Sequence, residues 1–310
     1  MNKLILKILI LLAIISTSLV LFVYLTPIDE DAYIGAVKDK NKLLENAEKP
    51  KMVFIGGSNL AFGLNSEKLE SKLDFDVINM GIHAGMGLKF IMNEVKPYIA
   101  EGDIVVVAPE YSHFYGTLNG DATLGQTLEY TPESIKNLDE NQLISLFTNI
   151  PEFTRRDMQL TARLLLDSLD HGNVYFRSAF DENGDVITHL ELDSIDISEF
   201  PLFSSEARLE SVDQETIEFL NDYIEYCNNR SAQVYFSYPS IPKNRYEEHV
   251  DLIKGLEDKL NTELKCDVIS TPENYVYGNE MFFDTVYHLN SKGREIRTLQ
   301  VLNDLERVIQ

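Results

Sequence analysis

Residues 52–59 read Met52-Val53-Phe54-Ile55-Gly56-Gly57-Ser58-Asn59, a short apolar run that stops at two glycines, a serine and an asparagine. The run predicts a β-strand. The paired glycines let the backbone approach closely and take strained angles where the strand turns into a helical segment. A serine at that turn projects from the carboxyl edge of a sheet, beside amides free to stabilise an anion.

The surroundings repeat the strand–helix rhythm. Leu64, Leu69 and Leu73 recur among charges as on a surface helix over 64–73. Residues 76–80 (DVINM) predict a second strand, followed by a turn through Gly81, Gly85 and Gly87. Residues 88–100 have a helical period that Pro97 should kink or shorten, and Glu101-Gly102-Asp103 stops it. Residues 104–108 (IVVVA) are wholly apolar, the pattern of a strand covered on both faces. Near the C-terminus helices are predicted over 215–228, 246–264 and 291–309, with strands at 233–238 and 267–270. The expected fold is a three-layer α/β/α sandwich with a mainly parallel five-stranded sheet, flavodoxin-like in plan. Residues 116–205 break the rhythm with helical pieces at 141–147 and 152–169 and a hairpin turning at 181–185. They read as an insertion lying over the carboxyl edge, where ligands bind in such folds.

The 310 residues hold 27 Lys and Arg against 50 Asp and Glu, a net charge of −23. Such a polyanion is repelled by phosphate backbones, so no nucleic-acid partner is expected. At 44% hydrophobic residues the chain can build a core. Two cysteines make neither a disulfide framework nor a cysteine-based zinc site. Whether Cys227 pairs with Cys266 depends on proximity that the sequence does not give.

Residues 1–27 stand apart. Lys3 and Lys7 precede the uncharged run 8–25, which is followed by Asp29-Glu30-Asp31. Eighteen residues span roughly 27 Å as a helix, close to the thickness of a bilayer core. The charge asymmetry places the N-terminus in the cytoplasm and residues 28–310 outside, as one membrane-tethered extracytoplasmic domain. A cleaved signal peptide is the competing reading.

Far along the chain, Asp284-Thr285-Val286-Tyr287-His288-Leu289-Asn290 directly precedes the last helix. His288 can take the Ser58 proton while Asp284 orients the imidazole, the division of labour of a Ser-His-Asp triad. His83, Glu110, Tyr111 and His113 follow the second and third strands and are candidate substrate contacts. Glu110, His113 and His83 lack recognisable metal spacing, and no cofactor or metal is expected. Residues 181–185 resemble part of a calcium loop but lack its later Glu, which favours a hairpin turn. Arg177 offers either an anion contact or a surface ion pair.

Gly56-Gly57-Ser58-Asn59 after the first strand, Gly81 after the second, and an Asp and His before the C-terminal helix resemble the SGNH/GDSL hydrolases, from Pro50 to the end apart from the insertion. The pattern is most similar to the membrane-anchored branch that includes the D-alanine transfer protein of teichoic acids and the alginate O-acetylation proteins. The resemblance implies an esterase or O-acyltransferase acting on an acylated cell-surface polysaccharide, beside a membrane-bound O-acyltransferase. It implies Ser58 as nucleophile, His288 as base, Asp284 as its partner, and an oxyanion hole from the Ser58 and Gly81 amides, with Asn59 a further candidate. Two departures stand out. Three residues separate Asp284 from His288 where the family has two, and the third block carries Glu110 where the family has Asn. The alternative is a catalytically silent SGNH-fold protein that binds glycan or scaffolds the acyltransferase. A phosphodiesterase or lipase-like enzyme would share the nucleophile.

Overall fold

The structure is a computed structural model that describes residues 3–7, 10, 11, 14, 17, 28–47, 50–166, 172–205 and 207–309. The run read as a membrane anchor lies largely outside the described residues, among which no helix is long and apolar enough to cross a membrane.

Among the described residues seven strands form: β1 (Lys51–Gly56), β2 (Asp76–Asn79), β3 (Ile104–Ala108), β4 (Gln233–Phe236), β5 (Ile241–Pro242), β6 (Asp267–Val268) and β7 (Val276–Tyr277). Five of them make one sheet in the order β2-β1-β3-β4-β6, and every pairing in it is parallel. All residues of β1 and β3 are buried, as the unbroken apolar run 104–108 requires. β5 and β7 pair separately, in a small parallel ladder that no periodicity announces. Successive strands are added on one side from β1 to β2 and on the other from β3 onward. The switch therefore falls between β1 and β3, where parallel sheets open a crevice at their carboxyl ends.

Helices flank the sheet: α1 (Val37–Asn46), α2 (Ser58–Ala61), α3 (Ser66–Glu70), α4 (Leu88–Val95), α5 (Ala122–Tyr130), α6 (Glu140–Thr148), α7 (Ile150–Leu165), α8 (Gln214–Asn228), α9 (Lys243–Glu248), α10 (Val250–Glu263) and α11 (Ser291–Glu306). Pro97 acts as expected: α4 stops at Val95 and a 3-10 turn takes Lys96–Tyr98. The helix expected over 246–264 is instead two, broken at His249, whose φ of −121° is not helical. Cys227 and Cys266 are both free.

Residues 181–185 do form a turn, bridged by Phe180 and Val186, with Gly184 at a φ of +89°. A Cβ on Gly184 would lie 2.4 Å from the Asn79 carbonyl oxygen, so the turn presses directly on the end of β2. Asp185 fixes it there. Its buried carboxylate accepts from Ser66 N–H (2.6 Å), Ser66 Oγ (2.8 Å), Asn79 Nδ2 (2.7 Å) and Arg294 Nη2 (2.9 Å).

Lys40 of α1 completes this junction. Its buried ammonium donates to the carbonyls of Asn79 (2.7 Å), Gly81 (2.6 Å) and Gly184 (2.6 Å). Burial lowers its pKa, with the Asp185 and Asp181 charges opposing, yet three carbonyl acceptors match the three N–H bonds of the charged form. Lys40→Met strands three buried carbonyls, each costing about 1–3 kcal/mol. The urea midpoint should fall by the equivalent of about 3 kcal/mol or more, and a fall under about 1 kcal/mol would remove Lys40 as the clamp.

Candidate active site

Three strand ends converge on Ser58. β1 closes at Gly56, Gly57 caps the next turn with extended angles, and Ser58 opens the single turn of α2. The glycines are required by crowding. A Cβ on Gly56 would stand 2.4 Å from the Ala108 carbonyl oxygen, and one on Gly57 2.4 Å from Glu110 Oε1. Gly81, at the end of β2, is equally confined: its Cβ would meet the Gly57 carbonyl oxygen at 2.5 Å.

Asn59 is the rivet of this corner. Its Nδ2 donates to the Ala108 carbonyl (3.0 Å) and its Oδ1 accepts from the Gly57 amide (3.0 Å). Fully buried and doubly engaged, its side chain ties the turn after β1 to the end of β3. The Gly81 amide, also expected in the oxyanion hole, donates to Asn79 Oδ1 (2.9 Å).

Glu110 closes the site from β3. Its Oε1 accepts from Ser58 Oγ (2.9 Å) and from the Asn59 amide (3.1 Å), and the residue is 5% exposed. Tyr111 and His113, expected to contact substrate, are core residues instead. A 3-10 turn over Tyr111–Phe114 directs them inward. The Tyr111 amide donates to Tyr287 Oη (3.1 Å), and His113 Nε2 lies 3.3 Å from the Ala84 carbonyl, with burial holding the imidazole below its usual pKa. His83 is exposed, and its Nδ1 accepts from the Gly85 amide (3.0 Å).

His288 arrives from the other end of the chain. The segment before α11 is not helical. Phe283 N–H donates to the His288 carbonyl (2.7 Å), Phe282 bridges Leu289, and Thr285 Oγ1 accepts from the amides of Tyr287 and His288 (both 3.2 Å). This closed loop folds the two side chains together, so Asp284 Oδ1 meets His288 Nδ1 at 2.7 Å. Burial pushes the Asp284 carboxyl up, but hydrogen bonds from His288 and Tyr175 and the imidazole's charge outweigh it and leave the pKa lowered.

The His288 ring stacks on Phe62, with centroids 3.9 Å apart and planes 7° from parallel. Phe62 caps α2, and its amide donates to the Ser58 carbonyl (3.0 Å). Ser58 and Phe62 are thus one helical turn apart, on the same face. The imidazole therefore lies over the turn that begins with the serine. Ser58 Oγ itself is directed to Glu110, and no hydrogen bond joins it to His288.

Tyr175 is a site residue that the sequence does not flag. Its hydroxyl donates to Asp284 Oδ2 and lies 3.2 Å from His288 Nδ1, across 109 residues of chain. Arg177, two positions on, forms a two-pronged ion pair with Asp39 (2.6 and 2.7 Å). His189 packs on Phe62 and Phe283, with Nε2 3.0 Å from the Leu289 carbonyl, and burial lowers its pKa to about 4. Among the described residues no cluster of three His, Cys, Asp or Glu is arranged to hold a metal ion.

The chain matches no family model and no curated protein. The corner itself brings together a hydroxyl, a carboxylate touching it, and a neighbouring imidazole backed by a second carboxylate.

The Asp284–His288 pair has a signature in stability. A carboxyl with a lowered folded pKa contributes stability that is complete above its unfolded value, about 3.9, and is lost as the pH falls through the folded value. Urea midpoints of wild type and Asp284→Asn should differ at pH 6 and converge toward pH 3. A gap that stays constant would mean that the pairing does not form.

Proposed function

We propose that this chain is an SGNH-type serine esterase or O-acyltransferase, built as a three-layer α/β/α sandwich and held at the outer face of a membrane by residues 1–27. One observation carries the reading: His288, paired with Asp284, stacks on the turn that Ser58 opens. Its placement at the switch between β1 and β3 supports the same site.

In this reaction Ser58 Oγ attacks the acyl carbonyl carbon as His288 Nε2 takes its proton. The ester C–O bond breaks and the proton passes to the departing alkoxide. Water or a sugar hydroxyl then attacks the acyl-serine, gives its proton to His288, and Ser58 leaves with that proton. Asp284 and Tyr175 hold the imidazole with Nδ1 occupied, which leaves Nε2 for the chemistry. Tethering suits an acylated surface polysaccharide, held beside a membrane-bound O-acyltransferase, better than a diffusing metabolite.

The Ser58–Glu110 hydrogen bond favours a second reading, a silent SGNH-fold protein that binds glycan or scaffolds the acyltransferase. A fluorophosphonate that reacts with activated serines separates the two. The full chain should be labelled and should turn over a p-nitrophenyl acyl ester, and Ser58→Ala should lose about 10³-fold or more of the turnover. Equal turnover in both proteins would remove Ser58 as nucleophile. No labelling, together with glycan retention, would establish the binding protein.

A further inference from the structure

Glu110 occupies the space directly beside the Ser58 hydroxyl. Its carboxylate is buried, it takes the hydroxyl of Ser58, and it takes the Asn59 amide, a backbone donor next to the nucleophile. The Gly57 backbone passes so close that a Cβ there would strike Oε1, so the carboxylate has little room to retreat toward β1. An ionised carboxylate here opposes the reaction twice. It repels the developing oxyanion, and it holds the serine proton away from His288. A neutral carboxyl does the reverse, because its O–H is itself a donor.

We propose that Glu110 is a proton-gated catalytic residue: ionised, it latches Ser58 and the Asn59 amide; protonated, it releases both and donates to the oxyanion. The inference rests on Ser58 being the nucleophile. The Glu110 carboxylate acts electrostatically on Tyr33, His83, His113, Tyr287 and, from α11, Arg297. The protonated carboxyl is the open form, so the gate opens on the acid side, whereas His288 must be neutral to accept the serine proton.

These opposed requirements fix the shape of the pH profile. The neutral fraction of the carboxyl falls about tenfold per pH unit above its titration, while the neutral fraction of the imidazole rises equally steeply below its own. Their product is flat between the two titrations and falls on either side. The readout is the labelling rate of the full-length protein by a small uncharged fluorophosphonate. Ser58 Oγ attacks phosphorus, the P–O bond forms, the P–F bond breaks, fluoride leaves, and the proton goes to His288.

Wild type should show a falling alkaline limb. Glu110→Gln, neutral at every pH, should lose that limb, rise through the imidazole titration to a plateau, and react about tenfold faster or more at pH 8. Glu110→Asp keeps the charge and should keep the limb; thermal melts establish that both variants are folded. Glu110→Gln labelling at or below the wild-type rate at every pH would overturn the gate and leave Ser58 as nucleophile. If wild type and both variants react no faster than Ser58→Ala at any pH, the nucleophile itself is lost and the gate with it.

Discussion

The site depends on how tightly the carboxyl ends of β1 and β3 are drawn together. At Gly56 and Gly57 the approach leaves no space for a single methyl group, and Asn59 closes the gap with hydrogen bonds to both strands. Packing at this density transmits position: whatever fixes β3 fixes the turn that carries Ser58. Any larger side chain at either glycine would part the strands and carry the serine away from Glu110. The corner is therefore a structural constraint before it is a chemical one.

Residues remote in sequence are drawn onto that corner by polar contacts. Lys40 and Asp185 tie the 181–185 turn to the end of β2, and Tyr175, from the preceding stretch of the same segment, reaches Asp284. Residues that interrupt the strand–helix rhythm thus supply the clamp on one strand end and the second partner of the Asp284 carboxylate. A sheet edge alone offers backbone amides. Here the amides of Asn59 and Gly81 are already engaged, by Glu110 and Asn79, so the side chains brought in from elsewhere decide what the site can do.

The parallel sheet was legible because it depends on local signals. Apolar runs at 52–55, 76–80, 104–108, 233–238 and 267–270 each stop at glycine, proline or a polar turn, and a strand covered on both faces needs little else. The Gly-Gly-Ser turn and the pairing of Asp284 with His288 were legible for the same reason, four positions being a short reach. What sequence spacing did not carry was side-chain direction. Asn59 points into the β1–β3 seam, Tyr111 and His113 turn into the core, and Tyr175 meets Asp284 only through the tertiary fold. The division at His249 was hidden by an amphipathic period that runs through both helices.

Arg297 shows that the Glu110 carboxylate belongs to a larger buried network. Its guanidinium, 1% exposed, donates to the Asn59 carbonyl, while the Asn59 amide donates to Glu110. One residue of backbone therefore lies between a buried cation and a buried anion, its N–H toward the carboxylate and its C=O toward the guanidinium. Burying either charge alone costs several kcal/mol, and each lowers that cost for the other. Through that peptide unit the corner accommodates the arginine and the glutamate together. The carboxylate that accepts from Ser58 Oγ and the Asn59 amide thus lies one residue of backbone from the Arg297 guanidinium.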